Sequence, residues 1–308
     1  MKKIVVLMGG LSRESEVSIA SGSAVAEALQ AVAQENNLEV EARTIDGPQD
    51  ITAEAFVGVD MVFNLIHGVF GEDGQLQSLL DDLGVKYTGA RAVSSKIAFD
   101  KIASKECFKK AGVSTPLYET LVFSDDLVIS EIEAPILPCV VKPPREGSSF
   151  GVFKVTTQDE WVEALTELRA SYNEVLIEQW IEGRELTVGI LGDEVFPIVE
   201  IVPENGFYDS ANKYPWLIGD GGAQYFCPAH LDEATTAKVR QQALAAHQSV
   251  GVEVYSRVDV LLDESLQPYV LEINTLPGMT QSSLLPKSGE IYGLSFTELC
   301  LRIIKDSA

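Results

Sequence analysis

From Lys3 to Thr88 the chain alternates short apolar runs with helical stretches, a pattern that few architectures accommodate. Lys3–Met8 is an apolar run stopped by Gly9-Gly10, and Glu16–Ala33 follows with Val25, Leu29 and Val32 on one helical face. Met61–Leu65 is a second apolar run, Gly74–Leu83 a second helical stretch and Val85–Thr88 a short extended one. Strands joined through helices pair in parallel, so a parallel sheet covered by helices on both sides is expected. Ligands of such a sheet lie beyond the C-terminal ends of its strands, where Gly9-Gly10 and His67-Gly68 fall.

From about Ser95 the character changes. Lys101–Ala111 reads as a helix stopped by Gly112, followed by strands Pro138–Lys142 and Phe153–Thr156, helix Asp159–Tyr172 and strand Glu174–Glu178. The two strands flanking Pro143–Gly151 form a hairpin with a glycine- and serine-rich tip. A second cluster comprises strands Glu185–Leu191 and Glu194–Val199, helix Asp232–Val250, and strands Arg257–Leu262 and Tyr269–Ile273. Between Pro203 and Cys227 no periodicity is visible, and a loop of that length is expected to act as a lid.

Composition removes several classes of function. With 23 Lys+Arg against 46 Asp+Glu the net charge is −23, which argues against an extended nucleic-acid surface but leaves room for a local basic pocket. Apolar runs such as Ile4–Met8 are far too short to span a bilayer. Met1-Lys2-Lys3 mimics the start of a signal peptide, but Gly9-Gly10 and Arg13-Glu14 break the apolar region at once, so a buried first strand is expected. Cys107, Cys139, Cys227 and Cys300 are scattered without a C-x-x-C pair, which fits neither a zinc cage nor a disulfide framework and predicts a reducing, cytoplasmic setting.

Two constellations carry chemistry. Glu272 and Asn274 are two apart on a strand and share a face, and a symmetric Asp263–Pro268 turn sets Asp259 opposite Glu272. Two carboxylates and an amide oxygen make either a hard-oxygen site for Mg²⁺ shared with nucleotide phosphates or a solvated polar sheet face. Lys142-Pro143-Pro144-Arg145-Glu146-Gly147-Ser148-Ser149 sets an ammonium, hydroxyls and backbone N–H groups where they suit phosphate oxygens, or is an ordinary flexible hairpin. No G-x-x-x-x-G-K-[ST] or G-x-G-x-x-G fingerprint occurs. Gly9-Gly10-x-Ser12-x-Glu14 is a ligand loop or a turn with capping residues, and His67-Gly68 with Gly71-Glu72-Asp73-Gly74 has the same two readings. Leu276-Pro277-Gly278-Met279-Thr280 either presents an oxyanion donor or ends the hairpin. His230 and His247 read as structural.

Taken in order from Lys3 to about Ile304, these motifs together closely resemble the D-alanine–D-alanine ligase family. The resemblance implies an α/β, three-domain ATP-grasp architecture: an N-terminal parallel-sheet domain over 1–98, a central subdomain over 99–184, and a C-terminal catalytic domain over 185–308 with a lid at 203–227. Nucleotide would lie between the last two. It implies ATP-dependent joining of two D-alanines through an acyl phosphate, for peptidoglycan precursor synthesis, with two Mg²⁺ ions replaceable by Mn²⁺, and a homodimer. By the same resemblance Lys101 and Lys142 contact ATP phosphates, Glu178, Gln179, Trp180 and Ile181 hold adenine, and Glu185 takes the ribose. Many family members carry lysine at the position of Gln179. Asp259, Glu272 and Asn274 match the metal ligands. Glu14 takes the ammonium of the first D-alanine, with His67 near it. Arg257 and the Gly278 N–H stabilise the oxyanion, Lys213 and Ser283 hold the carboxylate of the second D-alanine, and Glu14, Ser148 and Tyr214 form a hydrogen-bonded triad. A D-lactate or D-serine ligase and a catalytically silent nucleotide-binding protein are the alternatives.

Overall fold

A computed structural model of the chain describes residues 1–203 and 222–308. The first sheet has the order β2–β1–β3, formed by β1 (Lys2–Gly9), β2 (Leu38–Ile45) and β3 (Met61–Asn64), all parallel, with a further parallel bridge from Val62 to Tyr87. Alternation along β1 explains why both faces are covered. Ile4, Val6 and Met8 pack with Val25 and Leu29 of α1 (Ser15–Ala31), whereas Val5 and Leu7 pack with Leu76 and Leu80 of α2 (Gln75–Asp82). The alternation of the sequence therefore yields the expected parallel sheet. β2 was hidden because Glu39, Glu41 and Arg43 interrupt its apolar residues, as suits an edge strand with exposed positions.

Helices α3 (Ala92–Phe99) and α4 (Lys101–Ala111) lead into a four-stranded antiparallel sheet of order β4–β7–β5–β6, from β4 (Tyr118–Val122), β5 (Cys139–Lys142), β6 (Phe153–Val155) and β7 (Glu174–Gln179). Cys139, Val141, Val175 and Ile177 pack against Trp161, Leu165 and Leu168 of α5 (Gln158–Arg169). The residues out of phase with them, Val140, Lys142 and Glu178, line a cleft on the opposite face.

The third sheet, from β8 (Gly183–Leu191), β10 (Val199–Pro203), β11 (Ala223–Phe226), β12 (Tyr255–Asp263) and β13 (Pro268–Asn274), runs β11–β10–β8–β12–β13, with β9 (Glu194–Val195) paired to β8. Leu186, Val188 and Ile190 of β8 and Val258 and Val260 of β12 (Tyr255–Asp263) pack on Val239, Ala243 and Ala246 of α6 (Glu233–Val250). The single strand expected over Glu194–Val199 is instead two: the Phe196 N–H still reaches the Gly189 carbonyl of β8 at 2.8 Å, Pro197 has no N–H to donate, and beyond it the register against β8 has shifted by one residue, Val199 pairing with Thr187. β10 is Val199–Pro203, and Ala223–Phe226, expected to be loop, is strand β11 paired to it. Such a four-residue strand has too few positions to show alternation. The remainder of the expected lid lies outside the described residues.

The chain closes with α7 (Leu284–Tyr292) and α8 (Phe296–Asp306), neither of which was foreseen. Leu299, Cys300, Ile303 and Ile304 of α8 join the core of the first sheet, so the two ends of the chain share one core. All four thiols are free, and among the described residues no helix is long and apolar enough to cross a membrane.

Candidate active site

The cleft between the second and third sheets is a cavity of about 490 Å³ lined by Lys142, the segment Glu178–Ile181, Glu185, Asp259 and Glu272, and roofed by Gly147–Phe150. Lys101, at the start of α4, lines it, and Lys105, one turn further on, lies buried behind its wall. Asp100 caps that helix by accepting from the Ile102 and Ala103 N–H groups, which fixes the first turn. Lys101 Nζ lies 3.0 Å from Glu272 and donates to the Glu146 carbonyl at 2.7 Å. Lys105 is wholly buried, donates to Thr115 Oγ1 and pairs with Glu178, whose other oxygen takes Lys142.

Electrostatics follow from this packing. Burial works to raise the Glu178 pKa, but the Lys105 and Lys142 ammoniums outweigh it and hold the carboxyl down at about 2. Burial also acts against charged Lys101, yet Glu272 and Glu178 raise its pKa above the usual lysine value. For Lys105 burial wins, helped by the neighbouring Lys142 ammonium, and its pKa is lowered. The cleft thus holds paired charges: each of its lysines is set against a carboxylate, and Glu146, Glu182, Glu185 and Asp259 add further acid to its lining.

On the Glu178–Ile181 segment, the Gln179 N–H donates to the Leu117 carbonyl at 2.8 Å and the Trp180 N–H to the Pro138 carbonyl at 3.1 Å. The Gln179 N–H is therefore already engaged within the fold. Lys154 Nζ sits 3.8 Å from the centroid of the Trp180 ring, a cation–π contact that stiffens the rim.

Across the β12–β13 hairpin (β13, Pro268–Asn274), Asp259 pairs with Glu272 and Arg257 with Asn274. The expected facing pair is present, but not through a symmetric turn. Leu262 pairs with Pro268 and Val260 with Val270, so Leu271 is a bulge that shifts the register before Asp259. Arg257 forms a two-point contact with Asp259 (3.0 and 2.9 Å), which also accepts from Thr187 Oγ1 at 2.6 Å. Asn274 Oδ1 accepts from the Leu276 N–H at 2.9 Å, anchoring the loop that carries Gly278.

A second cavity, about 310 Å³, is lined by Glu14, His67, Glu72, Arg257, Asn274, Gly278 and Ser283. It meets the first at Lys101, Glu146, Gly147, Ser148 and Glu272, which line both. Loops beyond the parallel strands build its floor: Ser12 Oγ donates to the His67 carbonyl at 2.7 Å and accepts from the Glu14 N–H at 3.2 Å. Ser148 donates to Glu14, bringing the second-sheet hairpin onto the loop that follows β1. Ser148 and Ser149 hold φ of +50° and +59°, a left-handed backbone that serine adopts at a cost. Gly71 is required where it stands, since a Cβ there would lie 1.7 Å from the Ile66 carbonyl oxygen. That close approach brings Glu72 Oε1 to 3.5 Å from His67 Nδ1 and 2.9 Å from the Gly68 N–H. Ser283 stands at the N-terminal boundary of α7 without a side-chain capping bond, its Oγ lying instead 2.8 Å from Thr280 Oγ1.

Glu14, His67, Ser148, Arg257, Gly278 and Ser283 therefore gather at one cavity, and Lys101, Lys142, Glu178–Ile181, Glu185, Asp259 and Glu272 at the other. Lys213 and Tyr214 lie outside the described residues. Sequence reasoning passed over Lys105 and Thr187, and named Glu72 only as part of the Gly71–Gly74 motif, without a role. Lys105 was findable from its i,i+4 spacing to Lys101, whereas Thr187 becomes relevant only through the pairing of β8 with β12.

Comparison with known proteins places this geometry. The chain matches the D-ala D-ala ligase N-terminus family over residues 31–90 and the D-ala D-ala ligase C-terminus family over residues 107–305. A D-alanine–D-alanine ligase of Citrifermentans bemidjiense is 44% identical, covering 99% of this chain and 95% of that protein. The crystal structure of the Bacillus anthracis D-alanine–D-alanine ligase complexed with ATP superposes with a TM-score of 0.85 at 33% identity, covering 100% of this chain and 97% of that one. The VanG D-Ala:D-Ser ligase of Enterococcus faecalis also superposes with a TM-score of 0.85, at 27% identity, covering 100% of this chain and 99% of that one. Fold and cleft define an ATP-dependent ligase built on the ATP-grasp plan. The chain belongs to the D-alanine–D-alanine ligase family.

Proposed function

We propose that the two joined cavities carry out the ligation of two D-alanine molecules, ATP occupying the larger and the amino acids the smaller. The observation that carries this reading is their shared wall: Lys101, Ser148 and Glu272 line both, so a phosphoryl group and a carboxylate can meet there. A carboxylate is a poor acylating agent. Its oxygen attacks the γ-phosphorus, ADP leaves, and the acyl phosphate is then attacked by the second amine, giving a tetrahedral oxyanion that collapses with loss of phosphate.

In this reading Lys101 and Lys142 balance phosphate charge, Glu185 and the Gln179 carbonyl orient the nucleoside, and Glu14 binds the first ammonium beside His67. Arg257 and the Gly278 N–H receive the oxyanion, a role worth about 3–4 kcal/mol per donor in other enzymes. Ser283, with Lys213, takes the second carboxylate, and Tyr214 completes a triad with Ser148 and Glu14. Asp259, Glu272 and Asn274 suit Mg²⁺: two carboxylates and an amide oxygen are too few to cage it alone but enough when phosphate oxygens complete the shell. Two such ions, held there, would supply charge neutralisation at the transferring phosphoryl group. The domain division 1–98, 99–184 and 185–308, the homodimer and the cytoplasmic setting belong to the same reading.

The test is ATP-dependent phosphate release with D-alanine alone and with D-alanine plus D-lactate or D-serine, followed by product mass. D-alanyl-D-alanine is expected with D-alanine alone. A depsipeptide or a D-serine product formed in preference would reassign the second subsite, and absence of phosphate release under every condition would make the protein a silent nucleotide binder.

A further inference from the structure

Ser21 lies in the middle of α1, wholly buried, and no role in the reaction falls to it in the reading above. Its hydroxyl nevertheless touches His67, which lines the smaller cavity, and Met279, the residue next to cavity-lining Gly278, from distant stretches of chain. Oγ lies 3.3 Å from His67 Nε2 and accepts from the Met279 N–H at 3.1 Å. His67 and Met279 are buried as well, so none of these groups has water as a ready alternative partner.

The direction of the hydrogen bonds follows from the donors present. The Glu72 carboxylate, 3.5 Å from His67 Nδ1, can only accept, so in the neutral imidazole the proton sits on Nδ1 and Nε2 is the acceptor. Ser21 has one hydroxyl hydrogen, which then goes to Nε2, leaving a lone pair for the Met279 N–H. Met279 directly follows Gly278, and the Leu276–Thr280 loop is otherwise tied down at Asn274 and Ser283. We propose that Ser21 is a positioning residue that holds the His67 imidazole and the Gly278–Met279 turn in mutual register, so that the first-substrate pocket and the oxyanion donor are set by one hydroxyl. This inference rests on the roles proposed above for His67 and Gly278.

The experiment is steady-state kinetics on Ser21→Ala, Ser21→Thr, His67→Gln and the Ser21→Ala/His67→Gln double variant, with ATP and D-alanine as the varied substrates and folding checked by circular dichroism. Loss of the hydroxyl strands a buried N–H and an imidazole nitrogen, so kcat/KM for the first D-alanine is expected to fall about tenfold or more. The KM for ATP should stay unchanged, and Ser21→Thr should recover most of the loss. In the double variant the added effect of Ser21→Ala should shrink to about twofold or less. Wild-type kinetics in Ser21→Ala beside an impaired His67→Gln overturns the role of Ser21 alone, whereas an unimpaired His67→Gln overturns the reading of His67 on which it rests. Full additivity, or a lower melting temperature with unchanged kinetics, also overturns the proposal. If Ser21→Ala does not fold, Ser21→Cys replaces it, a weaker donor of similar size, and wild-type kinetics in that variant overturns the proposal equally.

Discussion

Asp259 and Glu272 face each other across the β12–β13 hairpin because the bulge at Leu271 shifts the register between them and the turn. Had the turn-proximal register continued, Asp259 would oppose Leu271, and Glu272 would be directed with Val258 towards the core behind the sheet. One inserted residue thus sets both carboxylates on the cleft, where Lys101 and Arg257 meet them.

Replacing Glu272 by Gln keeps the shape but removes the charge that Lys101 pairs with and that a cation would need. Turnover is expected to fall by about a hundredfold or more, of the order seen when one transition-state electrostatic contact is removed. The circular dichroism spectrum should be unchanged. Phosphate release at wild-type rate and ordinary magnesium would remove Glu272 from the site.

Lys105→Met leaves buried Glu178 with Lys142 as its remaining cation partner among those described. Breaking a buried ion cluster of this kind costs about 3–5 kcal/mol, so the urea midpoint should drop clearly. With Glu178 released to pull on Lys142, the KM for ATP should rise more than that for D-alanine. Equal changes in both constants would mean that Lys105 only supports the fold.

Ser148 tests contact against backbone. Ser148→Gly and Ser148→Ala both delete the hydroxyl that meets Glu14, but only Gly relieves the φ of +50°. The Gly variant should be the more stable by about 1 kcal/mol, with both losing kcat/KM for D-alanine to the same degree. Activity retained by Ser148→Gly alone would assign the importance of the site to its backbone.

His247 predicts the acid limb of stability. It is buried with Nδ1 2.7 Å from Ser256 Oγ, and burial, opposed weakly by Asp193, lowers its pKa to about 4 from 6.5. The unfolded chain therefore binds a proton between those values that the folded chain does not. Stability is complete above about pH 6.5 and falls as the pH drops towards 4, by roughly 2–3 kcal/mol from this group. Urea titrations of wild type and His247→Gln should show a shallower pH dependence in the variant over this window; parallel curves would rule the assignment out.

Much of this was legible before any coordinate. The βα alternation of residues 3–88, the small residues around Ser148 and the two-residue step from Glu272 to Asn274 are local signals, and local signals survive in a linear string because backbone periodicity sets them. The order of the motifs then pointed to the family. What escaped depends on contacts between residues far apart in the chain. β2 reads as charged because an edge strand needs little apolar surface, α8 earns its place only against the core of the first sheet, and the Leu271 bulge exists only in a register shared with β12. Lys105 is an ordinary lysine in the sequence and becomes a buried counter-ion when β7 sets Glu178 against it. Ser21 and Met279, 258 residues apart, share a hydrogen bond that no periodicity encodes. Residue type and spacing determine which chemistry the chain carries; which side chains share a buried, low-dielectric space is decided by packing, because desolvation and pairing energies act on distance in space.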